Sequence, residues 1–361
     1  MIEAGGRTLL PGFFESHLHL VLGGAELEHL QLGEVAGFDA LASAVRAYGA
    51  ARPDLPLLMA QGANYEILGA PVTRHDLDRI SADRPLAMMA PDHHTVWANT
   101  MALQRAGMLH GMVTPSGHEV VMAADGTATG ELREFEAFGP LLFDPERFKA
   151  ICTEIDRRGL QIAVHAIGDG AVRVTIDGYQ AAAQANGLRD LRHRIEHIEL
   201  IDRADQPRLA ALDITASVQP PHPPGALHFP MSTMAAIFPP ERWPDAYRWK
   251  SLDARLAFAS DWPVTEISVL MGLQAALTRV PYAGAADERL GLMDSLHADT
   301  AGGAIAAHRE ALTGRLVPGL SADLVLLGGD IEAVAAQDIG AMGIAKTVAG
   351  GRVTHRTAGF A

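Results

Sequence analysis

Along most of the chain, short apolar runs alternate with longer stretches whose apolar residues recur every three or four positions. An unbroken or alternating apolar run of four to eight residues is the pattern of a strand, and recurrence at i, i+3, i+4 that of a helix on a core. Strands are predicted at Arg7 to Phe14, Pro56 to Gln61, Pro85 to Ala90, Gln161 to His165, Arg194 to His197, Asp213 to Val218 and Arg255 to Ala259. Asp144-Pro145-Glu146 reads as a helix start, with a capping Asp and Pro in the first turn. Phe148, Ile151, Cys152 and Ile155 then follow at helical spacing, and Gly159 closes the helix. Ala171 to Ala185 is a second helix, ended by Asn186-Gly187, and a third is expected from Trp97 to Ala106 with Asp92 as its cap.

The second half keeps a steady interval. His165 to His197 is 32 residues and His197 to Asp261 is 64, the size of one and of two βα units. The fold class expected is therefore α/β, a (β/α)₈ barrel with its chemistry at the C-terminal ends of the strands. A doubly wound open sheet is the alternative, placed lower because no Gly-rich dinucleotide fingerprint is present. The tail differs. Gly314 to Gly328 reads as turn, turn, strand, and Lys346 to Thr354 as a tight hairpin around Gly350-Gly351. The organisation expected is a barrel over 11–308 with a small β-sandwich segment from 1–10 and 309–361.

Composition narrows the partners. The chain has 361 residues, 48% hydrophobic and 20% charged, as in ordinary globular proteins, enough for one large or two smaller domains. A net charge of −14 with no basic patch excludes nucleic acid as the expected partner. No apolar run reaches bilayer length, no signal-peptide pattern is visible in the first twenty residues, and the single Cys152 fits a reducing compartment. A cytoplasmic protein acting on a small molecule is expected, with no membrane partner. A short β unit would leave an edge that a second copy could cover, making a homo-oligomer.

The candidate chemistry begins with His17 and His19, at the end of the first apolar run. On a strand, residues i and i+2 point to the same side, so both imidazoles aim at one point, which suits a metal ion. Four further segments each end an apolar run with a polar or ionisable group: His165 to Asp169, Arg192 to His197, Ser217 to His222 and Ser260-Asp261. A barrel would gather these ends at one mouth. Neutral imidazole binds Zn²⁺ well, and a carboxylate can ligate the ion or take a proton from its water. Such an ion makes hydroxide available near neutral pH, and a carboxylate could then protonate a leaving amine. His222, His94 and Tyr65 are candidates for contact with substrate. His193, four residues before His197, is expected to be structural or exposed.

With these motifs the chain resembles the amidohydrolase superfamily, most closely its amidohydrolase-3 branch, which includes enzymes like N-substituted formamide deformylase. The resemblance rests on Leu10-Pro11-Gly12-Phe13 with His17 and His19, on Val164 to Asp169, on Arg192 to His197, on Ser260 to Val264 and on Pro318 to Val325. It implies a metal-dependent hydrolase on a (β/α)₈ barrel with a small β-sandwich. It also implies His17, His19, His165, His197 and Asp261 as metal ligands, with Asp261 and His197 catalytic. The reaction implied is cleavage of a non-peptide, amide-like C–N bond by attack of metal-bound hydroxide, Asp261 moving the proton. The cofactor implied is a divalent metal, Zn²⁺ by type, one or two ions.

The chain departs from the family pattern in four respects. Glu15 stands where the family usually has Asp. The bridging Lys of two-metal members has no counterpart, because Lys149, the only lysine between His19 and His165, falls on the polar face of its predicted helix. The region from Thr129 to Phe143 is shorter than the family's, and the chain is expected to be shortened at its N-terminus too. Glu131, Glu134 and Glu136 are possible replacements for the bridge, with nothing in their spacing to choose among them. A site holding one ion is then sufficient. The alternatives are a one-metal deaminase of a cyclic amidine-like ring and a degenerate, non-catalytic member.

Overall fold

The structure, a computed structural model, describes residues 4–114, 118–134, 144–227 and 229–358. It forms two compact units, one of residues 1–18 with 139–361 and one of residues 19–138. The chain opens in the first unit with β1 (Leu9–Pro11).

The second unit carries α1 (Leu20–Glu26), β2 (Leu30–Gln31), α2 (Phe38–Ala51), β3 (Leu58–Gln61), α3 (Arg74–Ile80), β4 (Leu86–Met89), β5 (Thr95–Ala98), α4 (Thr100–Arg105), β6 (Glu119–Met122) and β7 (Ala128–Arg133). Its strands form one six-stranded sheet, ordered β2-β3-β4-β5-β7-β6. β2, β3 and β4 are parallel, while β4-β5, β5-β7 and β7-β6 are antiparallel. Leu41, Val45, Leu58, Ile67, Leu77, Leu86 and Met88 pack its core.

The helix expected from Trp97 does not begin there. Thr95 to Ala98 form a strand, Trp97 sits buried on it, and only Thr100–Arg105 is helical. The cap is Asn99, whose side chain accepts the Ala102 N–H, not Asp92. Thr95-Val96-Trp97 is β-branched and aromatic, and pairing with two neighbouring strands outweighs a short helical periodicity.

The first unit continues with α5 (Pro145–Arg157), β8 (Ala163–Ala166), α6 (Asp169–Asn186), β9 (Arg194–His197), α7 (Gln206–Ala211), β10 (Thr215–Val218), α8 (Thr233–Ile237), β11 (Arg255–Phe258), α9 (Val269–Thr278), α10 (Leu292–His297), α11 (Gly303–Ala306), β12 (Leu324–Leu327), β13 (Ile344–Ala349) and β14 (Arg352–Arg356). β8, β9, β10 and β11 pair in parallel, side by side. β1 pairs antiparallel with β12, and β12, β13 and β14 continue that second sheet as a meander. The fold is thus α/β with a parallel sheet. Among the described residues the strands are hydrogen-bonded in three separate sheets, where the sequence led to an expectation of one eight-stranded parallel ring. No helix is long and apolar enough to cross a membrane among the described residues.

α5 forms as its cap dictates. Asp144 accepts the N–H groups of Glu146 and Arg147, and Pro145 takes the first turn, where it forfeits no hydrogen bond. Gly178 lets α6 close on α5: a Cβ there would lie 2.8 Å from the Phe148 ring and 2.9 Å from Cys152 Sγ. Lys149 lies on the outer face of α5, its Nζ 2.8 Å from Glu146 Oε1.

At the C-terminal end of α5 the buried Asp156 collects donors. Asn186 Nδ2 lies 2.7 Å from its Oδ1, Arg189 pairs with it, and His193 Nε2 lies 3.1 Å from Oδ2. His193 Nδ1 accepts the Ile162 N–H at 3.1 Å, so the ring proton sits on Nε2 and points at Asp156. His193 is thus a strut between α5 and β9. Burial alone would raise the Asp156 carboxyl, but the bonds from Arg189, Asn186 and His193 outweigh it and hold the group below the usual range. Asp156→Asn is expected to cost about 1–3 kcal/mol at neutral pH. A carboxyl depressed on folding contributes stability above its unfolded value and loses it as pH falls through the folded one. The gap between wild type and variant should therefore narrow below about pH 4, measured by urea unfolding across pH. An unchanged gap would remove Asp156 from that role.

Candidate metal centre

Parallel pairing puts the C-terminal ends of β8 to β11 on one edge of their sheet, and the titratable groups follow from that. His165 is the third residue of β8 and His197 the last of β9; Ala166 stands opposite His197 in register. His222 follows β10, and Asp261 follows β11. His17 arrives from the other side, on a segment stapled along the end of β11. Ser16 N–H donates to Phe258 O at 3.3 Å, and Asp261 N–H donates to His17 O at 3.0 Å. Glu15 Oε1 accepts the N–H groups of Ser260 at 2.9 Å and His17 at 3.3 Å, so its carboxylate ties the two segments together. Arg194 Nη1 donates to Ser16 O at 3.0 Å.

The side chains converge. His17 Nε2 lies 3.0 Å from Asp261 Oδ1, and His17 Nδ1 lies 3.7 Å from Glu196 Oε2. The ring of His197 is 5.4 Å from that of His17, 4.2 Å from that of His165, and stacked at 5.7 Å on that of His222. His222 Nε2 is 3.6 Å from Asp261 Oδ2. Donor atoms of His17, His197 and Asp261 lie within 4.8 Å of one another, as do those of His197, Glu199 and His222.

The electrostatics suit a cation. His197 is 1% exposed, and neither ring nitrogen has a hydrogen-bond partner among the described residues. Burial, then the neighbouring His165, push its imidazole well below the ordinary range, so it is neutral with lone-pair density to offer. Two unsatisfied nitrogens in a buried ring are costly, and a bound ion would relieve that cost. For His17, burial opposes protonation, but the Asp261 carboxylate 3.0 Å away and the charge of Glu196 outweigh it and the ring is raised. Burial raises Glu196. Two imidazoles and a carboxylate are a donor set that zinc accepts, so the residues present fit a divalent metal.

The backbone here is held in rare conformations. His197, Ile198 and Asp261 have φ of 80°, 47° and 59°, in the left-handed region that β-branched residues such as Ile rarely enter. Such positions persist where surrounding structure over-determines them, commonly at binding and catalytic sites.

The first unit therefore brings together His17, His165, His197, His222 and Asp261. His19, Tyr65 and His94 belong to the other unit. His19 is exposed just before α1, and its carbonyl accepts the Gly23 N–H at 2.8 Å. Tyr65 Oη bonds Thr95 Oγ1 at 2.9 Å and Asp92 at 3.1 Å, and burial raises the phenol above its ordinary value. His94 Nδ1 lies 2.9 Å from Glu134 Oε2, and Glu131 pairs with Arg133. Glu136 lies outside the described residues.

Sequence reasoning passed over Glu196 and Glu199, buried on either side of His197. The signal was present in Ile195-Glu196-His197-Ile198-Glu199-Leu200: two carboxylates inside an otherwise apolar buried run are costly unless something uses them.

The sequence profile of the amidohydrolase family matches residues 1–142 and 133–355. The chain belongs to the amidohydrolase family. Like the motifs, the match runs along most of this amidohydrolase, in two pieces that overlap at 133–142. The amidohydrolase is 36% identical over 221 residues to the protein LONG AFTER FAR-RED 3 of Arabidopsis thaliana, covering 59% of this chain but only 37% of that relative's length. It is 21% identical to the putative amidohydrolase YtcJ of Bacillus subtilis (strain 168), covering 98% of this chain and 90% of that one. That alignment runs over 486 positions against 361 residues here, so a large part of YtcJ has no counterpart in this chain. The fold is shared with an uncharacterized metal-dependent hydrolase from Pyrococcus horikoshii OT3, at a TM-score of 0.62 and 19% identity over 92% of this chain and 88% of that one.

Proposed function

We propose that this amidohydrolase cleaves a non-peptide, amide-like C–N bond of a small molecule, with one divalent ion, zinc by donor type, held by His17, His197 and Asp261. The observation that carries the reading is the buried His197, both ring nitrogens unsatisfied, inside a donor cluster with His17 and Asp261. His165, whose ring lies beside His197, is proposed as a further ligand. His19 is proposed as a ligand on the His-x-His pattern, and His94 and Tyr65 as substrate contacts, on sequence alone. The parallel sheet β8 to β11 is read as the catalytic part of the family's (β/α)₈ plan, and the β1-β12-β13-β14 sheet as its small β-sandwich segment.

A bound ion would polarise the scissile carbonyl and acidify water. The chain's own residues do the rest. Asp261 is fixed through its backbone bond to His17, and its Oδ2 faces His222. It accepts a proton from the attacking water and returns it to the departing nitrogen, which leaves as the amine. Neutral His197 keeps a lone pair directed into the cluster, and Glu15 holds His17 in place. The test is release of amine from a panel of N-formyl and N-acyl amines by metal-loaded protein, with Asp261→Asn beside it. Ammonia released from cyclic amidines, with no amide cleavage, would move the reading to deamination. A folded, metal-replete protein inert on all of these would make it a binding protein.

A further inference from the structure

Glu199 stands between His222 and Tyr247 in an arrangement that the hydrolytic reading does not require. His222 Nδ1 lies 3.2 Å from Glu199 Oε1, and Tyr247 Oη donates to Glu199 Oε2 at 2.8 Å. All three residues are buried. Both oxygens of the carboxylate are thus engaged, one by the ring and one by the phenol.

Tyr247 is itself immobilised. Its N–H donates to Glu199 O at 2.6 Å, and Arg279 Nη1 donates to its carbonyl at 2.8 Å. Its ring packs edge-on against Trp249, whose Nε1 donates to Ile198 O at 2.9 Å. The isolated bridge between Leu200 and Ala246 ties the same two segments together. A side chain pinned at this many points holds its hydroxyl at a fixed place, and through it the plane of the Glu199 carboxylate.

We infer that Glu199, locked by Tyr247, is a positioning residue that fixes the tautomer of His222. A carboxylate only accepts, so the ring proton must sit on Nδ1 and point at Glu199. Nε2 is then the bare nitrogen. It has no hydrogen bond among the described residues, and its nearest charged neighbour, Asp261 Oδ2, stands 3.6 Å away, beyond hydrogen-bond reach. The arrangement presents a hydrogen-bond acceptor to the proposed metal centre, suited to an N–H or O–H of substrate or water. What Nε2 serves rests on the hydrolytic reading; the tautomer does not.

Long-range ¹H–¹⁵N correlation spectra of zinc-loaded, ¹⁵N-histidine-labelled protein test this without turnover. The His222 signals are assigned by their loss in His222→Gln, at about pH 8.5, where an ordinary imidazole is neutral. Wild type is expected to carry the proton on Nδ1. In Glu199→Gln the Tyr247 hydroxyl keeps the amide oxygen, the NH₂ group faces Nδ1, and the proton moves to Nε2. In Glu199→Gln/Tyr247→Phe the amide is free to turn, and the proton returns to Nδ1. A wild-type ring protonated on Nε2, or without preference, overturns the inference even if the variants fail to fold. An unshifted tautomer in folded Glu199→Gln overturns it too, and a proton that stays on Nε2 in the double variant removes Tyr247 from it. Failure of amide hydrolysis would leave the spectra unaffected, so the two readings fail separately.

Discussion

Asp261→Asn is expected to lower kcat/KM on any amide the wild type cleaves by about 10²–10⁴-fold, with the fold retained. The residue is 4% exposed, directly beside His17 Nε2 and opposite His222. Asn fills the same volume, and its carbonyl oxygen can still face His17, so packing changes little. It cannot take a proton from water at neutral pH, and its NH₂ group places a donor where Oδ2 had been an acceptor. Metal content measured alongside the rates separates the two roles. A variant that keeps its zinc and loses turnover assigns the proton transfer to Asp261, and one that loses both assigns it chiefly to ligation. Equal rates for variant and wild type would sink the proposed mechanism.

His17→Ala is expected to abolish stoichiometric metal binding. Wild type dialysed against low, defined zinc should retain about one ion per chain by elemental analysis, and the variant almost none. Even groups that only orient a ligand are worth about 10–100-fold in affinity, and a direct ligand is worth more. A ligand that binds the native state raises its stability, so added zinc should raise the Tm of wild type and leave that of His17→Ala unmoved. His75→Ala is the control, since His75 is an exposed histidine beside Asp78 in the other unit. A variant that held zinc as tightly as wild type would remove His17 from the site, and the single-ion reading with it.

The strands β8 to β11 were legible because each carries apolar residues (Val164, Ile195, Val218, Phe258) in a short run, with a polar or ionisable residue at or near its C-terminal end. The segment Arg194–His197 was read to the residue. α5 was legible because its start is chemical: Asp144 and Pro145 satisfy or forgo specific N–H groups, which local sequence alone decides. At Trp97 the three-residue apolar run Val96-Trp97-Ala98 has no period long enough to separate helix from strand. Pairing with β4 and β7 chose the strand. The six-stranded mixed sheet of the second unit was also not foreseen. Antiparallel returns depend on which strand lies next to which, and apolar pattern does not encode that.

The sequence by itself determined the family, the reactive residue types and the order in which strands deliver them. A histidine or aspartate closing an apolar run is a local fact, and the run's register carries it to a sheet edge. Only the tertiary structure decided which of those residues meet. His17, 244 positions from Asp261 in the chain, comes to 3.0 Å of it through backbone bonds between segments that no local rule connects. The same holds for Glu199, which reads as one more acidic residue until Tyr247 and His222 close on its two oxygens. Side-chain chemistry is written residue by residue, whereas burial, which turns a carboxylate into a fixed acceptor and an imidazole into a bare donor of lone pairs, is a property of the folded neighbourhood.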